Sequence, residues 1–146
     1  MKIETQIVID KPLDMVVKYF ADSACLKEYQ EGFVSKELIS GVAGENGAVS
    51  KMLYEHGNQK MELTETITAN NLPGSFEAHY HHTHMDNTMK CTFTSISENQ
   101  TQYTSFIEYT RINWVMPRLM AILVPSIYKK PIKRWLMNFK KFVESR

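Results

Sequence analysis

The chain has 146 residues, which is enough for one domain with a sizeable hydrophobic core and too few for two domains. A single domain over residues 1–146 is therefore expected. Its 17 Lys and Arg residues nearly balance its 16 Asp and Glu residues, which argues against a general nucleic-acid-binding protein. The two cysteines, Cys25 and Cys91, lie far apart without a Cys-x-x-Cys motif, so no disulfide scaffold or zinc knuckle is indicated and a reducing, cytoplasmic setting is expected.

The first thirty residues predict a strand followed by two short helices. In the strand, residues that face inward alternate with mostly polar residues that face outward. The inward residues are Ile3, Thr5, Ile7 and Ile9. The charges among them argue against a signal peptide. Pro12 and Asp14 suit the first turn of a helix over residues 13–20, with Val16, Val17 and Phe20 inside. Asp22 or Ser23 is expected to cap a second helix that ends near Tyr29.

After a strand over residues 33–40 and a glycine-rich loop, the pattern predicts a hairpin whose register can be read directly. Gly57-Asn58 is a two-residue turn signal, which pairs Tyr54 with Met61 and Ser50 with Glu65. The predicted inner face consists of Ala48, Ser50, Met52, Tyr54, Met61, Leu63, Glu65 and Ile67. Glu65 is its exception, because a carboxylate among apolar groups must be paired, protonated or hydrated.

A second hairpin is predicted from a strand over residues 75–84 and a turn at Asp86-Asn87, which places His82 opposite Cys91 and Tyr80 opposite Phe93. Its apolar face holds Phe76, Ala78, Tyr80, His82, Met89, Cys91 and Phe93. An imidazole beside Cys91 would favour a thiolate, although a small buried thiol is the simpler interpretation. His79 and His81 share the outward face and lack a third ligand, so no metal site is expected.

The last strand, over residues 101–111, has two possible facings. Tyr103, Ser105, Ile107 and Tyr109 face inward if the preceding loop near Glu98 has an odd length. A two-residue turn there would instead bring Phe106 inward, and the sequence leaves both alternatives open.

The segment from Ile127 to Glu144 has the spacing of an amphipathic helix, with lysines and arginines opposite its apolar face. That face comprises Tyr128, Ile132, Trp135, Leu136, Phe139, Phe142 and Val143. Residues 114–126 are apolar on all sides, yet Pro117, Arg118 and Pro125 interrupt them, so no transmembrane segment is predicted. Because Pro125 and Pro131 each remove a helix hydrogen bond, we expect a separate, angled segment that closes a cavity or forms a homodimer through residues 114–126.

The order of strand, two short helices, six strands and a long helix resembles the START-like superfamily (SRPBCC), which includes polyketide cyclases/dehydratases, lipid-transport proteins and birch pollen allergen-like proteins. The resemblance covers the whole chain. It rests on that order, on Pro12–Phe20 (PLDMVVKYF), on the Gly41–Gly47 loop (GVAGENG) and on Phe139–Glu144 (FKKFVE). It implies an α+β helix-grip fold, in which a seven-stranded curved antiparallel sheet wraps round the C-terminal helix with a cavity between them.

The expected function is therefore binding of a hydrophobic or amphipathic small molecule, lipid-like or polyketide-like, without cofactor, metal or nucleic acid. Nine methionines suit an adaptable cavity wall. The predicted ligand-binding residues are Met52, Tyr54, Met61, Leu63, Glu65, Phe76, Tyr80, Met89, Phe93, Tyr103, Trp135 and Phe139. The alternative is a cofactor-free cyclase/dehydratase or hydrolase that uses Glu65 as general acid/base. A weaker possibility is a protein-interaction role through the basic helix or through the apolar stretch before it.

Overall fold

The computed structural model of the protein describes residues 1–113 and 126–146. Seven strands and a C-terminal helix follow the predicted order: β1 Lys2–Ile9, α1 Leu13–Ala21, a 3-10 turn Ser23–Cys25, α2 Leu26–Tyr29, β2 Phe33–Ser40, β3 Val49–His56, β4 Gln59–Asn71, β5 Ser75–His81, β6 Met85–Ser97, β7 Gln100–Ile112 and α3 Ser126–Glu144. The predicted angled segment and homodimer contact over 114–126, and the predicted inward side chain of Tyr128, lie outside the described residues.

The strands form one antiparallel sheet in the order β1-β7-β6-β5-β4-β3-β2. Helix α3 packs against β1, α1 and α2, so the main core lies on the β1 side of the sheet. The buried residues of this core are Ile3, Ile9, Val16, Cys91, Phe93, Tyr103, Ile107, Ile132, Leu136, Phe139, Phe142 and Val143. A second cluster of Leu26, Met52 and Tyr54 lies on the β3 side. The fold predicted from the sequence is thus confirmed.

The first predicted hairpin is confirmed pair by pair. Tyr54 lies opposite Met61 and Ser50 opposite Glu65, and the turn residue Gly57 has a φ of 62°, a conformation that costs glycine little. At the start of the chain, α1 begins at Leu13, and Asp22 accepts a hydrogen bond from the Ala24 backbone N–H as the predicted cap.

The second predicted hairpin has the right faces and the wrong register. Its turn lies at Thr83-His84, where the His82 and Met85 backbones bond each other, and Asp86 is already part of β6. Cys91 therefore pairs with Phe76 and Tyr80 with Asn87, so the predicted pairs His82–Cys91 and Tyr80–Phe93 are wrong. The physical reason is that the Asp86 carboxylate binds Arg111 of β7, which outweighs its local preference for a turn.

The facing of the last strand is settled by a bulge. Ser97 pairs with Gln100 across a two-residue turn, which alone would have turned Phe106 inward. A register shift between Ser95 and Ser97 leaves Ile96 unpaired. This extra residue reverses the facing of the strand relative to its partner, so that Tyr103 and Ile107 face inward. Tyr103 and Ile107 are buried, whereas Phe106 is exposed on the outer face.

Helix α3 departs from the sequence prediction at two residues. Trp135 is 43% exposed although its helical angle lies between those of the buried Phe139 and Phe142. Those two rings pack against Tyr29 of α2, which lies nearer the C-terminal end of α3. Pro131 does not break the chain, since α3 runs through it from Ser126. A proline so near the helix start removes one hydrogen bond, and burial of the following apolar side chains holds the remaining turns.

Candidate functional site

The candidate site lies on the inner face of strands β2 to β5 and follows from their register. Ser50 of β3 lies between Leu38 of β2 and Glu65 of β4, and Glu65 in turn lies opposite Tyr80 of β5. Two residues before Leu38, Lys36 of β2 lies opposite Met52 of β3. Because Met52 is buried and directly paired residues share a face of the sheet, Lys36 also faces inward. Because Ser50 is small, the long Lys36 side chain can pass over it diagonally toward Glu65.

Two groups hold the Glu65 carboxylate inside the protein. The Tyr80 hydroxyl donates a hydrogen bond of 2.7 Å to Oε2, and Lys36 Nζ lies 3.0 Å from Oε1. The lysine approaches as an ion pair outside ideal hydrogen-bond directions, so Oε1 keeps an unfilled acceptor direction. Glu65 is only 4% exposed, while the Lys36 side chain is 22% exposed. Lys36 is therefore the accessible member of a buried ion pair.

Two tyrosines near this pair remain neutral donors. Burial, together with the negative charge of Glu65, raises the pKa of Tyr80 and of Tyr54 well above the usual range. The Tyr54 hydroxyl donates to Gln30 Oε1 at 2.7 Å, which ties β3 to the end of α2. Each phenol proton thus already has an acceptor within the protein.

The predicted ligand-binding residues fall into two groups and one outlier. Around the ion pair lie Met52, Tyr54, Met61, Leu63, Glu65 and Tyr80, of which Met61 and Leu63 are only half-buried. Around Phe20 of α1 lie Phe76, Phe93, Tyr103 and Phe139, with ring centroids 4.9 to 6.2 Å from that of Phe20. Met89 packs against this second group. Trp135 is the outlier, exposed on α3.

The aromatic group is packed around Phe20, and the group around the ion pair contains the polar side chains. Phe20 fills the space between α3 and the sheet at this level, meeting Phe93 at 4.9 Å and Phe139 at 6.2 Å in edge-on geometry. Met61 and Leu63 on the same face as Glu65 are half-buried, and the Lys36 side chain at the edge of the sheet is 22% exposed, so solvent reaches the inner face here. The candidate site is accordingly the surface around Lys36 and Glu65.

Sequence reasoning found Glu65 and missed Lys36 and Gln30. Alternation along β2 is obscured by register shifts that leave Val34 and Ile39 unpaired. Pairing β2 with the already registered β3 would have placed Lys36 opposite Met52 and revealed its facing. Gln30 follows a helix end, where no periodic pattern operates.

The histidine-rich segment and the cysteines show no nucleophilic or metal site. His79 and His81 face outward as predicted, opposite Thr88 and Asp86 of β6. Within the described part of the chain, no three His, Cys, Asp or Glu side chains converge as metal ligands would. Cys91 lies 3.4 Å from the Tyr103 hydroxyl, and burial raises the pKa of its thiol to about 12. Cys91 is therefore a neutral thiol at neutral pH.

No protein-family model matches the sequence, and no curated protein matches it either. Solved structures do match. The Zhui aromatase/cyclase from a Streptomyces species has a TM-score of 0.81 at 11% identity, with 100% of this chain and 94% of that chain covered. Ara h 8.0201 has a TM-score of 0.76 at 13% identity, with 100% and 99% covered. Norcoclaurine synthase from Thalictrum flavum, in complex with dopamine and hydroxybenzaldehyde, has a TM-score of 0.72 at 15% identity, with 100% and 87% covered.

These likenesses establish the class of fold. The chain has the helix-grip fold that these structures share, so the fold implied by the sequence resemblance is confirmed. At such low identities the comparison carries no residue of a relative's site over to this chain. Among residues 1–113 and 126–146, no helix is both long and apolar enough to cross a membrane.

Proposed function

We propose that the protein binds a hydrophobic or amphipathic small molecule between α3 and the inner face of β2 to β5. The observation that carries the proposal is the buried Lys36–Glu65 pair, which is set in a wall of apolar side chains. An apolar surface with a few fixed polar groups is the usual composition of a small-molecule site. The complex of norcoclaurine synthase with dopamine and hydroxybenzaldehyde supports it, because that fold accommodates small organic molecules in at least one protein.

Titration with the neutral fluorescent probe Nile red tests this proposal. Leu63 lies on the inner face of β4, and Leu53 lies on the outer face of the neighbouring β3, opposite Glu62. We expect Leu63→Gln to weaken probe binding by up to roughly tenfold, since the probe would cover only the exposed part of this half-buried leucine, which contributes up to about 1.4 kcal/mol. Leu53→Gln is the matched control and should change the affinity by less than about twofold. If the two substitutions changed the affinity for Nile red equally, the probe would not bind at the inner face of β4.

A second candidate function is proton transfer, in a cofactor-free cyclase, dehydratase or hydrolase. What favours it is the Glu65 carboxylate held between a cation and a phenol, in the manner of a general base. Glu65 would take a proton from the carbon next to a ligand carbonyl, and Lys36 would stabilise the resulting enolate oxygen.

Deuterium exchange provides the test for this activity. In D₂O, wild-type protein should accelerate exchange of the methyl hydrogens of acetophenone, as followed by NMR, and Glu65→Gln should abolish the acceleration. No acceleration by folded wild-type protein for a panel of bound ketones would reject the acid/base role and leave the binding function intact.

A further inference from the structure

The polar groups of the candidate site limit the chemistry of its ligand. Glu65 accepts a hydrogen bond from Tyr80 on Oε2 and forms an ion pair with Lys36 through Oε1, which is buried. The phenol protons of Tyr54 and Tyr80 are directed to Gln30 and Glu65. Lys36 is different, because an ammonium group has three hydrogens and Glu65 can engage only some of them. Its side chain is also the more exposed member of the pair.

Resting on the proposed function, we propose that the ligand is an uncharged hydrophobic molecule bearing an oxygen acceptor, such as an ester, ketone or alcohol, which Lys36 Nζ binds. The site discriminates against free carboxylic acids. A neutral oxygen next to Lys36 leaves the ion pair balanced and adds a charge-assisted hydrogen bond.

A carboxylate ligand would meet the opposite situation. It would place a second negative charge beside the Lys36 ammonium group, which already balances Glu65, and the ion pair with its ligand would carry a net negative charge. Like charges that share a site repel strongly when they are desolvated. The two nearby phenols offer no compensation, since their hydrogen bonds are already made within the protein.

A ligand ammonium group is also disfavoured, because Lys36 carries the same charge and Glu65 is buried behind it. It would have to approach Glu65, which is 4% exposed, past the like charge of Lys36. The ion pair therefore selects against both signs of charge and leaves neutral oxygen as the matching chemistry.

Three molecules with the same alkyl chain test the inference: methyl laurate, lauryl alcohol and laurate. Each is titrated against wild-type protein carrying Nile red, at about pH 8 and below its critical micelle concentration. We expect the ester and the alcohol to displace the probe at least about tenfold more effectively than laurate, the factor that corresponds to one pKa unit of like-charge repulsion. Stronger displacement by laurate would overturn the inference while supporting the binding function. Failure of all three, and of Nile red itself to bind, would overturn the proposed function and the inference with it.

Two variants assign the discrimination to the ion pair. In Glu65→Gln the Lys36 charge has no partner. Laurate should therefore bind more tightly than the ester, which reverses the order of affinities expected for the wild-type protein. Glu62→Gln is the matched control, because Glu62 pairs with Lys51 at 3.7 Å on the outer face of the same hairpin. It should keep the wild-type order. If Glu65→Gln is poorly folded, Lys36→Gln provides the second readout. Loss of the cation should weaken binding of the ester, and it should weaken laurate further, because the Glu65 charge is then uncompensated. An unchanged order in folded Glu65→Gln, or unchanged ester binding in folded Lys36→Gln, would each overturn the assignment.

Discussion

Lys36 and Glu65 belong to strands that do not pair with each other, yet their charged atoms lie 3.0 Å apart across the intervening strand β3. Because β2 is an edge strand, its side chains are less covered than those of β4, and Val34, Leu38 and Ile39 are all exposed. The ion pair therefore links the edge of the sheet to its interior.

Loss of the lysine should destabilise the protein more than loss of a surface lysine. We expect Lys36→Met to lower the free energy of unfolding by about 2–4 kcal/mol, because Glu65 would remain as a buried charge without its counterion. Lys60→Met is the control: Lys60 is 81% exposed and lies 3.8 Å from Glu55, an arrangement worth less than about 0.5 kcal/mol. Urea unfolding of the three proteins measures both values.

The same pair allows a double-mutant cycle. Lys36→Met combined with Glu65→Leu should be less destabilising than the sum of the single changes, because the double variant has no isolated buried charge. Additive effects would mean that the two charges do not stabilise each other in the folded protein.

Phe20 is expected to be a major core residue. Its ring meets Phe76, Phe93 and Phe139 edge-on, so Phe20→Ala should leave a cavity between α1, α3 and the sheet. The expected loss is about 3–5 kcal/mol. Phe106→Ala removes a ring that is 39% exposed on the outer face and should cost less than about 1 kcal/mol. Similar losses for both variants would contradict the packed-core description.

Asp86 should make stability depend on acid pH. Hydrogen bonds from Arg111 hold the pKa of this carboxyl at about 2, below its usual value of 3.8. Because the folded-state pKa is the lower one, the stabilisation is fully present above about pH 4 and is lost as the pH falls toward 2. The stability difference between wild type and Asp86→Asn, measured by urea unfolding, should therefore shrink over that range. Arg111→Gln should weaken this pH dependence, and a constant difference would contradict the assignment.

The two thiols should differ in reactivity. Cys91 is fully buried, and its thiol pKa of about 12 leaves little thiolate at neutral pH, whereas Cys25 is half-buried near the surface. Ellman's reagent should therefore titrate one thiol in the native protein at about pH 8 and two in urea. Cys25→Ser should abolish the native reaction, and rapid labelling of Cys91 in that variant would contradict its burial.

Much of the fold could be predicted because local patterns and long-range contacts agree. Alternation in β3 and β4, with a glycine suited to the turn between them, gives the correct register. The second hairpin fails because Asp86 is recruited by Arg111, which is 25 residues away in the sequence. The bulge at Ile96 is likewise invisible to a pattern that assumes strict alternation.

The candidate site could be predicted only in part. Glu65 was recognisable as a carboxylate among apolar neighbours, a conflict that a local pattern shows by itself. Its partner Lys36 was hidden, since its facing depends on two irregularities in an edge strand. Helical spacing predicts that Trp135 lies on the apolar face of α3, but it cannot predict whether other elements cover that face at the level of Trp135, which is exposed.

The pairing of β1 with β7 means that the first strand of the sheet finds its neighbour about a hundred residues later in the chain, as in the pair Ile3 and Ile107. Near its C-terminal end, α3 binds the same strand, where Lys140 Nζ donates to the Val8 carbonyl. Such contacts have a high contact order, and closing so long a loop slows folding. During synthesis, the backbone edge of β1 must therefore stay unpaired until β7 emerges from the ribosome, and its apolar face stays uncovered until α3 follows. Unpaired strand edges and exposed apolar surface are the features that make a nascent chain prone to aggregation.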